Sequence, residues 1–108
     1  MKKIISILAI SFCSNSVAAS STINSVLITN NIVTIITAEA RTENLAICTD
    51  AENANKWAFS LVSTEGKNLY RAVIAAHGAG KTVDITPTGD CQAFQSIERP
   101  QAIEIKLL

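Results

Sequence analysis

The chain has 108 residues, enough for one domain, and nine Lys and Arg balance nine Asp and Glu. A formal net charge of zero leaves no basic excess to draw nucleic acid or anionic lipid. One histidine and three cysteines, with no CxxC pair and no Cys/His cluster, argue against a redox motif or a zinc site, and no cofactor is expected.

Residues 1–19 have the three parts of a secretory signal: Lys2 and Lys3, the apolar run 4–12, and the small residues Val17, Ala18 and Ala19 at a cleavage point. A membrane anchor needs about 20 apolar residues, and this run is about half that and broken by Ser6 and Ser11. Phe12 stands against lipidation of Cys13, because lipid-modified cysteines follow a small residue. The expected location is secreted or periplasmic, with no membrane insertion. Removing residues 1–19 leaves 89, a single domain at 20–108 carrying seven Lys and Arg against nine Asp and Glu, a net charge of about −2. A core of that size is only marginally stabilising. Cys48 and Cys91 then have one intramolecular pairing open to them in an oxidising compartment, and closing that loop stabilises by about 4 kcal/mol in the chain-entropy picture.

Residues 25–37, "SVLITNNIVTIIT", are two β-branched runs separated by Asn30 and Asn31, which reads as strand, tight turn, strand, with one long bent strand as the competing reading. "NLAIC" at 44–48 is a short strand candidate, and an aperiodic polar loop follows it. "WAFSLV" at 57–62 alternates, placing Trp57, Phe59 and Leu61 on one core-facing side.

Ser63 and Thr64 are natural N-cap residues and Glu65 suits a first helical turn. Over residues 65–77, Leu69, Ala72, Val73 and Ala76 form one apolar stripe, and Tyr70, Ile74 and His77 form a second beside it. Such a helix is apolar over more of its circumference than one sheet covers, so either a partner surface meets it or the N-terminal residues fold over it. Gly78 and Gly80 end the helix, one of them as a left-handed residue. The stretch "AAHGAGKT" at 75–82 fits a relaxed phosphate-loop pattern. Here, however, the helix precedes the glycines and the strand follows, the reverse of a working phosphate loop.

"KTVDIT" at 81–86 is a strand with Val83 and Ile85 inward, stopped by Pro87. "PTGDC" is a turn, and the loop "AFQSIERP" is expected to pack Phe94. The chain closes on "AIEIKLL", with Ile103, Ile105 and Leu107 on one face. The sum is a mainly β fold with one helix: about five strands, compatible with a small barrel of the oligonucleotide/oligosaccharide-binding (OB) type in which the helix sits between strands 3 and 4 and plugs one end.

Catalysis is disfavoured. His77 has no partner in a recognisable triad, and nothing selects a working pair among nine acids. His77 reads as an interface or helix-end residue, where positive charge suits the helix dipole. Binding is the better class, with Ser21, Thr22, Asn24, Ser25, Thr29 and the Asn-rich loop as polar candidates.

Over "WAFSL", "GKNLYRAVIAAHGAGKTVDI" and "GDC" the chain resembles the B subunits of the subtilase-cytotoxin and typhoid-toxin branch of AB-type toxins. The matching residues are Trp57, Phe59 and Ser60 leading into the helix, Leu69 and Tyr70 within it, and Gly80, Val83 and Ile85 after it; "SVLIT" is similar to the first strand of those subunits. The resemblance implies an OB-type barrel that assembles as a homopentamer with its helices lining the centre. It also implies binding of host cell-surface sialylated glycans and delivery of a separate catalytic A subunit. The family's serine at the start of the first strand contacts sialic acid, and Ser25 matches it. The chain departs from the pattern where Ala75, Ala76 and His77 replace a tyrosine-rich helix end. The alternative is a small periplasmic or secreted protein of similar fold that binds another protein, as an inhibitor or envelope component.

Overall fold

The computed structural model describes residues 19–106. The expected leader, apart from Ala19, and the apolar position Leu107 lie outside the described residues. The elements are β1 (Ala19–Thr29), β2 (Ile32–Thr37), a short 3-10 turn (Ala51–Asn53), β3 (Lys56–Ser60), α1 (Thr64–Ala79), β4 (Thr82–Pro87) and β5 (Pro100–Ile105).

Asn30 and Asn31 adopt φ of 53° and 65°, so a two-residue turn with both central residues left-handed joins Thr29 to Ile32. Residues 25–37 are therefore two paired strands. β1 is nonetheless bent. Its register against β2 slips between Ile23 and Ser25, leaving Asn24 as the extra residue of a bulge. Ahead of the bulge, residues 19–22 pair with β4; after it, residues 25–29 pair with β2.

The alternation predicted for the strands sets the core. Val33 and Ile35 of β2, Trp57 and Phe59 of β3, and Val83 and Ile85 of β4 are all buried, with Ile23 of β1 among them. Leu61 lies past the end of β3 and packs against this cluster only in part. No strand forms at 44–48. Asn44 has φ of 64°, which breaks an extended run, and the segment is held by Glu98 and Cys91 instead of a ladder. Phe94, expected to pack, is 50% exposed, and Ile97, bridged to it, takes the buried place.

Helix α1 starts where its cap dictates. The Ser63 hydroxyl accepts from the Gly66 N–H at 3.0 Å, and Gly80 ends the helix in the left-handed region at φ 66°. Gly80 N–H donates to the His77 carbonyl and Lys81 N–H to the Ala76 carbonyl, the paired bonds of a Schellman motif. Val73 and Ala76 are fully buried against the sheet.

The five strands form one antiparallel sheet in the order β3-β2-β1-β4-β5. β3 and β5 are its ends, and the sheet is not closed as a barrel. Outside the ladders, the Ala58 N–H of β3 donates to the carbonyl of Glu98, just before β5, at 3.0 Å.

Candidate functional site

Of the polar residues proposed on β1, Ser21 is structural, and Thr22 is engaged through its backbone carbonyl. The buried Ser21 hydroxyl donates to the Thr22 carbonyl and accepts from the Glu39 N–H, and the Thr22 carbonyl also accepts from Ala38 N–H. Asn24, Ser25 and Thr29 are exposed. Ser25 follows the bulge and stands opposite Ile36, which in turn faces Lys56; Leu27, 59% exposed, lies in the next row against Thr34. The outer face of β1 and β2 therefore mixes hydroxyls with aliphatic side chains. The Asn-rich loop is less available than expected: Asn53 donates to the Ser96 carbonyl and Asn55 to the Thr37 carbonyl.

The second helical stripe divides. Tyr70 is half-buried against the core, Ile74 is 43% exposed, and His77 is exposed but tethered, its Nδ1 lying 3.0 Å from the Ile23 carbonyl oxygen. Since a carbonyl only accepts, that contact assigns the ring proton to Nδ1. It also brings the end of α1 against the β1 bulge, one residue before Asn24 and two before Ser25. The phosphate-loop-like glycines thus form a helix end.

Cys48 and Cys91 form a disulfide, Cα to Cα 6.1 Å, closing 43 residues of separation. It is compatible with an oxidising location. The same two loops are also held by a pair that nothing in the sequence pattern marks. Glu98 is 1% exposed; it accepts from Arg41 Nη1 at 2.7 Å, from Gly89 N–H at 2.9 Å and from Ala46 N–H at 3.3 Å. The Arg41 guanidinium stacks 4.0 Å over the Trp57 ring, and its Nε donates to the Ala54 carbonyl. One carboxylate thus ties together two loops that share no ladder.

A concavity of about 890 Å³ lies at the open seam of the sheet, between β3, the first turns of α1 and residues 88–103. Glu65, Asn68, Leu69 and Ala72 line it from the helix, Ser60 from β3, and Gln101 and Ile103 from β5. On the helix these residues flank the buried Val73 and Ala76 on the side opposite Tyr70, Ile74 and His77. On its rim Arg99 clasps Asp90 with two bonds of 2.8 Å. The guanidinium and the Gln92 N–H hold the Asp90 carboxyl at about 2, below the usual carboxylate range, against a smaller opposing effect of burial. The sequence reading missed this groove, because it is assembled from segments whose meeting depends on strand order.

Among the described residues, no group of three or more His, Cys, Asp or Glu is placed to hold a metal ion, and no helix is long and apolar enough to cross a membrane. No family model matches the chain, and comparisons with curated proteins and with solved structures find no match.

Proposed function

We propose that residues 20–108 are an exported, non-catalytic binding subunit of the subtilase-cytotoxin and typhoid-toxin B type, folded as a small OB-type barrel. It assembles as a homopentamer, binds sialylated cell-surface glycan through Ser25, and carries a separate catalytic A subunit. The observation that carries this reading is the strand order β3-β2-β1-β4-β5, with a bulged β1 shared between two halves and the helix placed between β3 and β4. That order is the one a partly open OB-type barrel takes, with β3 and β5 on either side of its seam, and the Ala58 to Glu98 bond joins the two sides at one end of it. Support also comes from the position of Ser25, exposed beside the bulge, and from the exposed Ile74 on the helix flank.

Each glycan site in such a ring is weak, and five linked sites supply avidity. Ser25→Ala is expected to abolish binding to a sialoglycan array while leaving assembly and melting temperature unchanged. Binding equal to wild type moves the site away from β1. A second reading, an exported domain that binds another protein, is favoured by one observation, the groove along the open seam.

A further inference from the structure

We infer that the groove along the seam between β3 and β5 is a site for strand addition, taking a short extended segment of a partner polypeptide with a basic side chain near Glu65. The inference depends on neither Ser25 nor a pentamer.

The hydrogen-bond alternation of the two edge strands carries it. Lys106 N–H donates to the Thr82 carbonyl, so in the β4–β5 register Lys106 and Glu104 direct their backbone groups towards β4. The groups of Ile103 and Ile105, one residue out of phase, then point away from β4. Gln101 is left over where the register slips between Thr86 and Pro87. On the other edge, Leu61 N–H donates to the Asn31 carbonyl, which turns the backbone groups of Ala58 and Ser60 away from β2. Ala58 uses its N–H on Glu98 and the Ser60 carbonyl oxygen is covered by Gly66 of α1; no backbone partner meets the Ser60 N–H, Gln101 or Ile103 across the seam among the described residues. Ser60, Gln101 and Ile103 all line the groove. A row of free donors and acceptors beside a concavity is what an added strand requires, main-chain bonds giving affinity and pockets for alternate side chains giving choice.

The lining selects the occupant. Leu69, Ala72 and Ile103 form an apolar wall for the inward side chains of a strand. The charged lining residues are Glu65, Asp90 and Arg99, and Arg99 is committed to Asp90 by its two bonds. Arg99 also faces the Glu65 charge, so the three together leave the groove one net negative charge, and a lysine or arginine on the incoming segment complements it.

The test uses disulfide-intact protein and a capped peptide, Thr-Val-Thr-Lys-Thr-Val-Thr, at millimolar concentration, read by amide hydrogen exchange. The expected result is exchange slowed at least tenfold at Gln101 and Ile103. Glu65→Gln, an exposed position, should weaken binding roughly two- to fivefold, the size of one exposed ion pair. The same peptide N-methylated at alternate residues keeps its side chains but loses half its donors, and should give no protection. Unchanged exchange at Gln101 and Ile103 overturns the proposal, as does equal protection by the methylated peptide. Protection that appears without peptide and grows with protein concentration also overturns it, because the occupant is then a second copy of this chain.

Discussion

Gly66 occupies the third position of α1 because a side chain there meets backbone. A Cβ at this residue would collide with the Ser60 carbonyl oxygen, so the helix can start directly after β3 only with glycine at that point. Gly66→Ala should destabilise the fold by about 1–3 kcal/mol, the usual cost of forcing an atom into packed structure, read as a lower urea midpoint with unchanged slope. Asp90 is legible in a different experiment. Its carboxyl is held at about 2 in the folded protein, below the 3.8 expected of an unperturbed aspartate, so the unfolded chain takes up its proton first as pH falls. The stabilisation is complete above pH ~4 and is lost towards pH ~2. Melting temperature should fall across that window, and Asp90→Asn should flatten the fall; an equally steep fall in the variant would place the acid sensitivity elsewhere. Neither residue announces its role in sequence. Gly66 reads as an ordinary glycine in a first turn, and Asp90 as a turn residue before Cys91.

At the scale of elements, what could be read was what repeats. The alternation of Val83 and Ile85 and the stripe ending in Val73 and Ala76 report burial directly; on β3 Trp57 and Phe59 are buried as their period predicts, but so is Ala58 between them. The hairpin was readable because Asn30 and Asn31 tolerate the left-handed backbone they adopt. Asn31→Val should cost about 1–2 kcal/mol, since a β-branched side chain resists that backbone, whereas Asn31→Gly should cost nothing; equal denaturation midpoints for the two variants would contradict the turn assignment. Residues 44–48 were misread because their apolar run resembles a strand, while what holds them is nonlocal: Glu98 and the disulfide. Replacing Cys48 and Cys91 by alanine should lower stability by about 4 kcal/mol, checked by urea unfolding with and without reductant. A loss near zero would mean that the Arg41–Glu98 pair alone fixes the loop.

For the whole molecule, strand order is the property no local pattern contains. Five strands and a helix were readable, but the order β3-β2-β1-β4-β5, the open seam and the groove beside it follow from which edges meet. The same holds for the site residues. Ser25 was reached through resemblance, and only the fold shows that the His77 ring reaches the strand carrying it. The stripe of Tyr70, Ile74 and His77 is partly spent within the chain: Tyr70 leans on the core and His77 is tethered to Ile23, leaving Ile74 as its most exposed apolar member. An interface built there must therefore be completed by groups around Ile74. The B-subunit account makes its plainest commitment in the number of copies. The most direct measurement is the native mass of protein 20–108 purified with its disulfide intact, by light scattering over a hundredfold range of concentration. The account predicts a species of five protomers that Ile74→Asp dissociates, and a monomer at every concentration would contradict it.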